Sequence, residues 1–488
     1  MTILLCVSCC VVVYYYVLSI IIIIIHETEE RAGQAIISVT FRVAIYHSDK
    51  LSKIMLVGFK ITVLYGLFAL YTAIVSSAPL GRPWISNSSL ISRTTNRQPI
   101  PVPRYKVNLD LPPEDRWNEI AKLPRFENAS ISIVNYLKNS VPKSIFPLIS
   151  KVGKDIQSYF PSELASEMSG LAKAFGAPLQ VGDLVAVNLV MQLEHIALNC
   201  SNWNDTGPTR PDDPGCMDVD PKQTWCYCKK HPNAYTTYAK LKKELGVTVD
   251  GPGLCTSVVA EDPAGVIFHG RNLDWNVPYA LRKMAADVDF QRGNKTIFTG
   301  TTVIGFVGVF NGMKEGVFSG SIDARDKGGK ILGNLLQALL HKSLTPSQHL
   351  RMVLQSEDSS TFESAITMLS TGSLIDQNYY IVGGVSKGEG AVIARGRNKA
   401  VDVWRLNESS WYRLETNYDH WNPVPKADDR RSPGQKNMNA MGQNGIGPSG
   451  EGIYKHVMVQ WPTFNHHTDY TGIFSAAKGV YSSNIWTD

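Results

Sequence analysis

The sequence lacks the features that mark several large protein classes. Lys and Arg number 48 among 488 residues, the formal net charge is only +5, and no Lys- or Arg-rich block occurs, so no nucleic-acid partner is indicated. Neither a G-x-G-x-x-G nor a P-loop sequence is present. Residues 316–320 read Gly-Val-Phe-Ser-Gly rather than G-x-S-x-G, which argues against a serine hydrolase with a nucleophile elbow.

Cysteine is also scarce, with eight residues. Cys200, Cys216, Cys226 and Cys228 crowd into one stretch, and an oxidising compartment would favour two disulfides there, in any of three pairings. Metal binding is the alternative, but the stretch has no C-x-x-C spacing and no paired histidines, so we expect no metal and no cofactor. Cys255 is then left as an odd thiol, as a reactive cysteine would be.

The first 77 residues are predicted to be a targeting region. Residues 55–77 have the positive start, apolar centre and small terminal residues of a secretory signal, with cleavage before Ala78. Residues 1–54 would then be an upstream extension of the gene model, and the alternative is a genuine signal anchor at 4–25. Both readings send the chain into the secretory pathway, and we expect a lysosomal or secreted protein.

Glycosylation sequons agree with that compartment. Six N-x-S/T sequences occur, and none has proline in the middle position. We expect glycosylation at Asn87, Asn128, Asn199, Asn204, Asn294 and Asn407.

Composition divides the remaining chain into three parts. Residues 78–198 are predicted to form a mostly helical N-terminal (alpha) subunit, in which 140–160 carries apolar side chains at amphipathic spacing. Residues 199–254 are rich in Asn, Asp, Pro, Gly and Cys and are predicted to be an insertion or linker. Residues 255–488 show blocks of strands, helices and strands, which indicates a layered α+β domain, the predicted catalytic (beta) subunit.

The residues around Cys255 can support nucleophilic chemistry. Cys255 follows Gly-Pro-Gly-Leu254 and opens a predicted hairpin that ends near Arg271 and Asp274. The thiol could attack the carbonyl of Leu254, and water would then free an α-amine that can act as a base. The carboxylate could hold the new ammonium group, and the guanidinium could steady a thiolate. The residues alone also fit a buried structural cysteine beside an ordinary Arg–Asp pair.

Longer motifs carry a resemblance to a known family. Cys-Thr-Ser-Val-Val-Ala-Glu-Asp at 255–262 and His-Gly-Arg-Asn-Leu-Asp at 269–274 resemble the nucleophile region of the acid ceramidase and N-acylethanolamine-hydrolysing acid amidase family. Glu-Thr-Asn-Tyr-Asp-His-Trp at 415–421 and Asp-Asp-Arg-Arg at 428–431 resemble it as well. The resemblance implies an αββα N-terminal-nucleophile hydrolase sandwich.

The resemblance also implies roles for individual residues. Cys255 would cleave the Leu254–Cys255 bond and then act as the nucleophile, with its own amine as base. Asp274 would anchor that amine and Arg271 would shape the nucleophile pocket. Asn417 would donate a hydrogen bond to the tetrahedral oxyanion, with Arg430 as the second arginine of the site. The alternative for Asn417 is a turn asparagine after a strand.

Substrate and partners follow from the same resemblance. His420-Trp421 is closer to the ethanolamide amidase, which favours N-acylethanolamines as the lipid amide substrate, with ceramide as the alternative. The cleaved fragments would remain together as a heterodimer, and 140–160 would contact membranes or, on the other reading, pack in the core. Ala324 departs from the glutamate that many relatives carry, and it supports a rival reading as a non-catalytic lipid-binding protein.

Overall fold

A computed structural model describes residues 97–140, 154, 157–194, 255–274, 282–325, 343–424, 428–465 and 467–486. Several predictions lie outside the described residues: the targeting region, most of 140–160, the whole 199–254 segment with Leu254, and the sequons at Asn87, Asn199 and Asn204. None of the helices in the described part combines the length and apolar character that crossing a bilayer requires.

Two β-sheets form the centre of the described chain. The six-stranded sheet has the order β1-β14-β13-β4-β3-β12, and the eight-stranded sheet has the order β11-β10-β9-β8-β7-β6-β5-β2. Every pair is antiparallel except β2 and β5. The strands are β1 Pro99–Pro101, β2 Arg104–Asn108, β3 Thr256–Glu261, β4 Ile267–Asp274, β5 Ala285–Arg292, β6 Lys295–Val303, β7 Asn311–Lys314, β8 Phe318–Ala324, β9 Asn378–Gly383, β10 Gly390–Arg395, β11 Ala400–Arg405, β12 Tyr412–Glu415, β13 Thr468–Ser475 and β14 Val480–Trp486.

Helices cover the outer face of each sheet. Helices α5 and α6 contact the eight-stranded sheet, whereas α7 and the π-helical turn Tyr454–Met458 contact the six-stranded sheet. This order of helix, sheet, sheet and helix is the αββα arrangement that the resemblance implies. The α-helices are α1 Asn118–Ala121, α2 Ala129–Ser140, α3 Ser162–Phe175, α4 Val181–Glu194, α5 Pro346–Gln355, α6 Phe362–Ser370, α7 Arg431–Met441 and α8 Glu451–Ile453.

Local sequence explains how the nucleophile hairpin forms. The turn between β3 and β4 is closed by Asp262, whose side chain accepts hydrogen bonds from the backbone N–H groups of Ala264 and Val266, both at 2.8 Å. Gly265 takes a φ of 83°, a left-handed conformation that glycine adopts without strain. The antiparallel pair β3–β4 therefore starts and ends where the turn residues direct it.

The space between the sheets has an apolar part and a polar part. Val259, Ile267 and Ile381 belong to an apolar cluster contributed by both sheets. Elsewhere between the sheets the buried side chains are polar: Ser257 on β3, Arg271 on β4 and Asp323 on β8. Buried polar groups are costly unless they are hydrogen-bonded or paired, so this polar part marks the region of chemical interest.

The structure places two strands, β1 and β2, in the N-terminal part that is predicted to be mostly helical. β2 is a strand because it pairs with β5 and buries Val107. β1 is an edge strand, a position that tolerates Pro99 and Pro101. Pairing with β13 extends β4 as far as Asp274, and residues 304–310 separate β6 from β7.

Candidate active site

Cys255 lies at the start of β3, one residue before the Thr256–Asn272 pair of the hairpin. This register brings Cys255 beside the end of β4, where Asp274 lies. Cys255 is a free thiol and only 4% of its surface is exposed. The residue that immediately precedes β3 is therefore enclosed near the residues that end β4.

Arg271 is the cation next to the sulfur. Its Nη2 lies 3.6 Å from Cys255 Sγ, and its Nη1 donates to the backbone carbonyls of Phe310, at 2.8 Å, and Ile322. The side chain is 1% exposed. These carbonyls fix one edge of the guanidinium, so its other edge faces the sulfur, where a positive charge stabilises a thiolate.

Asp274, the last residue of β4, presents a buried carboxylate near Cys255. One oxygen, Oδ2, accepts a 2.7 Å hydrogen bond from Asn465 Nδ2, and within the described residues the buried Oδ1 has no hydrogen-bond partner. Burial raises the pKa of Asp274 to about 6, while the positive charge of Arg430 acts in the opposite direction. A buried carboxylate oxygen without a hydrogen-bond partner is stabilised when a donor or a cation binds beside it.

Arg430 and Asn417 complete the site from the loop after β12 and the start of α7. Arg430 donates to the backbone carbonyl of Cys255, to Thr256 Oγ1 at 3.1 Å and to Asn417 Oδ1 at 2.8 Å. Its other partner is Asp428, whose two oxygens accept from Nε and Nη2 at 2.6 and 2.8 Å. Asn417 Nδ2 donates one of its two hydrogens to the carbonyl of Ala324, at 2.8 Å.

The thiol of Cys255 is protonated in this environment. Burial raises its pKa to about 12, and the charge of Arg271 offsets part of that rise. Asp323 and Asp274 both act to raise it further. The intact chain therefore holds Cys255 as a thiol, and an additional positive charge or a base is needed to form the thiolate at ordinary pH.

The structure brings all five predicted site residues together. Cys255, Arg271 and Asp274 come from one hairpin, and Asn417 and Arg430 reach the same point through the contacts described above. Leu254 lies outside the described residues. The described sequons at Asn128, Asn294 and Asn407 are exposed, and the described residues contain no group of His, Cys, Asp or Glu arranged to hold a metal ion.

Sequence reasoning gave Asp323 no role in the site. Asp323 is fully buried, with Oδ1 at 3.8 Å from Arg271 Nη1 and accepting a 2.8 Å hydrogen bond from Ser257 Oγ. A signal was present in β8, where Ser319, Ser321 and Asp323 alternate with the neighbouring residues and so share one face of a buried strand. Their proximity to Arg271, however, depends on how two sheets pack, which spacing does not determine.

Comparisons with known proteins agree with this geometry. The model of linear amide C–N hydrolases of the choloylglycine hydrolase family matches residues 255–452. A second model, described as the beta subunit of N-acylethanolamine-hydrolyzing acid amidase, matches residues 100–160, in the part for which the sequence prediction uses the label alpha. The protein is an amidohydrolase with the N-terminal-nucleophile hydrolase fold, as predicted.

Similarity to individual proteins identifies the family more closely. An N-acylethanolamine-hydrolyzing acid amidase of Rattus norvegicus is 35% identical over 77% of this chain and 86% of its own. Acid ceramidase of Homo sapiens is 29% identical over 79% of this chain and 86% of its own. A solved structure of a Caenorhabditis elegans N-acylethanolamine-hydrolyzing acid amidase ortholog is 30% identical, covering 47% of this chain and 99% of that chain with a TM-score of 0.43. The chain belongs to the family of N-acylethanolamine-hydrolysing acid amidases and acid ceramidases.

Proposed function

We propose that this protein hydrolyses N-acylethanolamines to a fatty acid and ethanolamine, after cleaving its own chain between Leu254 and Cys255. The observation that carries the proposal is that Cys255 lies beside Arg271, whose Nη2 is 3.6 Å from Sγ, and near Asp274, whose buried Oδ1 has no hydrogen-bond partner in the described residues. A new α-ammonium group on Cys255 would supply the cation that this oxygen lacks.

Activation requires two steps. The sulfur of Cys255 attacks the carbonyl carbon of Leu254, and the C–N bond breaks as the amide nitrogen takes a proton, which leaves a thioester. Water then hydrolyses the thioester, giving a carboxylate on Leu254 and a free thiol and amine on Cys255. Asp274 holds the resulting ammonium group, and Arg271 and this ammonium together favour the thiolate, whose pKa burial otherwise raises to about 12.

Turnover repeats this chemistry on the lipid amide. The thiolate attacks the acyl carbonyl, and Asn417 Nδ2, which has one hydrogen beyond the one it gives to Ala324, donates to the oxyanion. The α-amine of Cys255 delivers a proton to the departing ethanolamine nitrogen and then takes one from the water that hydrolyses the thioester. Arg430 holds both Asn417 and the Cys255 carbonyl in place.

Ethanolamides are preferred over ceramide in this proposal. The support is the higher identity to the rat amidase, 35%, than to human acid ceramidase, 29%, together with the His420-Trp421 sequence. His420 stacks on Trp404 with ring centroids 4.2 Å apart, and Trp421 follows it beside Arg325. Ceramide hydrolysis to sphingosine and a fatty acid is the alternative, supported by the matches to acid ceramidases.

The proposal includes a lysosomal or secreted location and a heterodimer of the N-terminal and C-terminal fragments. Its support is the amidase family, whose matching model is itself described as a subunit. Peripheral membrane contact through 140–160 stays a prediction from the amphipathic pattern.

The test is an assay of the purified full chain at pH 4.5 with palmitoylethanolamide and with ceramide. Hydrolysis of the ethanolamide in wild type and its loss in Cys255→Ala is the expected result, because the alanine lacks the nucleophile. Hydrolysis of ceramide alone would favour the alternative, and turnover that survives in Cys255→Ala would overturn the role of the cysteine.

A further inference from the structure

A row of buried polar side chains lies between the sheets and ends beside Arg271. Ser257 Oγ donates to Asp323 Oδ1 at 2.8 Å and lies 3.3 Å from Ser321 Oγ. His269 Nε2 lies 2.9 Å from the same Ser321 oxygen. The four side chains are fully buried, and the proposed reaction uses none of them. A fully buried polar row next to the nucleophile needs its own explanation.

Asp323 affects Arg271 through its charge rather than through a hydrogen bond. The 3.8 Å between Arg271 Nη1 and Asp323 Oδ1 is longer than a hydrogen bond, and Nη1 already donates to the carbonyls of Phe310 and Ile322. Within the described residues, Asp323 Oδ2 has no hydrogen-bond partner. Two opposite charges this close in a buried site interact strongly, so Asp323 weakens the positive field that Arg271 exerts on the Cys255 sulfur.

We propose that Asp323 is a positioning residue that sets how much of the Arg271 charge reaches Cys255, and that the Ser257 hydroxyl holds the carboxylate at its 3.8 Å distance. The proposal rests on the proposed function, because it concerns the nucleophile of the same site. It adds a residue pair, Ser257–Asp323, whose charge acts on the Cys255 sulfur both directly and through Arg271.

The charges around Asp323 define the conditions under which it acts. Burial raises its pKa to about 7, while Arg271, Ser257 and Arg430 act to lower it. His269 at the far end of the row is neutral, because burial lowers its pKa to about 3. At about pH 8 Asp323 is therefore ionised. Other titratable groups that interact with Asp323 or Arg271 are Asp274, Glu415, Cys255 and Tyr470.

The thiol itself provides the test. The rate at which iodoacetamide alkylates Cys255 at about pH 8 reports the thiolate fraction, and mass spectrometry of the Cys255 peptide assigns the site and tells the cleaved chain from the uncleaved one. Asp323→Asn removes a negative charge from near the thiolate, so we expect alkylation to be about tenfold faster, which corresponds to about one pKa unit. Both cleavage states are measured.

Asp287→Asn is the matched control. Asp287 is also a buried carboxylate of the eight-stranded sheet, it accepts a 2.7 Å hydrogen bond from Thr301, and burial raises its pKa to about 7. It has no ion pair with Arg271 in the described residues, so we expect an unchanged alkylation rate. An unchanged rate in Asp323→Asn, or an equal increase in both variants, would overturn the proposal.

A second variant tests the role of Ser257 and keeps the proposal testable if Asp323→Asn does not fold. In Ser257→Ala the ionised carboxylate loses its donor and closes on Arg271, so alkylation slows by about tenfold, opposite to Asp323→Asn. Ser257→Thr, which keeps the hydroxyl, restores the rate. An effect of Ser257→Ala that persists in the Asp323→Asn background would contradict the proposal. The assay needs no substrate, so failure to hydrolyse ethanolamides would refute the proposed function without affecting this result.

Discussion

The carboxylate of Glu167 on α3 and the guanidinium of Arg351 on α5 form a fully buried bidentate ion pair across the predicted cleavage point. The two contacts are 2.5 and 2.6 Å long, and the carboxylate also accepts from Arg116 Nη1 at 2.9 Å and Trp117 Nε1 at 2.8 Å. Both side chains are 0% exposed. The pair therefore connects the N-terminal and C-terminal parts through their shared core.

Glu167→Gln is expected to destabilise the protein by about 3–5 kcal/mol, because it leaves Arg351 buried without its counter-charge. Thermal unfolding measures the loss, and gel filtration after cleavage reports whether the fragments separate. The control is Glu363→Gln, which breaks the exposed pair of Glu363 with Arg405, 2.6 Å long, and should change stability by no more than ~1 kcal/mol. Equal effects in the two variants would contradict the prediction.

Stability is expected to fall as the pH rises from 6.5 to 8. Burial raises the pKa values of Asp287 and Asp323 to about 7 and of Glu415 to about 8, far above their ordinary values. Over this range the folded chain binds more protons at these carboxylates than the unfolded chain does, so their contribution to the free energy of unfolding decreases as the pH rises.

Buried histidines limit the effect on the acid side. Burial lowers the pKa values of His269 and His349 to about 3 and about 4, so below pH 6.5 the unfolded chain takes up protons that the folded chain does not.

Because of the three carboxylates, the melting temperature should be higher at pH 6.5 than at pH 8, and Glu415→Gln should reduce that difference. A melting temperature that increases from pH 6.5 to 8 would contradict the assignment of these carboxylates.

Asn417→Ala is expected to lower kcat by about 10²–10³ while leaving KM nearly unchanged. The negative charge that Asn417 stabilises develops as the tetrahedral intermediate forms and is absent from the bound substrate. Steady-state kinetics on the ethanolamide separates the two constants. Asn272→Ala is the control: its Nδ2 donates to the carbonyls of Met458 and Thr463, both at 2.7 Å, so its loss should lower the melting temperature without a comparable change in kcat. A loss of kcat in Asn272→Ala alone would count against the role of Asn417.

Much of the site could be predicted from the sequence because its central part is local. Cys255 and Arg271 are 16 residues apart on one hairpin, and the turn residues Asp262 and Gly265 fix the register that brings them together. The αββα arrangement and the amidase family were likewise predicted and are confirmed.

Other features depend on contacts between distant segments. β2 is a strand because β5 offers it a parallel edge, and the helical pattern of its surroundings does not contain that information. Asp323 reaches Arg271 only because β8 of one sheet packs over β4 of the other. The positions of single polar residues between two sheets are decided by tertiary packing, which local propensity does not encode.

The most direct test of the central claim is mass spectrometry of the intact purified protein and of Cys255→Ala. The account predicts that wild type contains a fragment whose N-terminal residue is Cys255, and that Cys255→Ala remains joined at 254–255 and is inactive on ethanolamides. Wild-type activity in a chain without an N-terminal Cys255, or cleavage at 254–255 in Cys255→Ala, would contradict it.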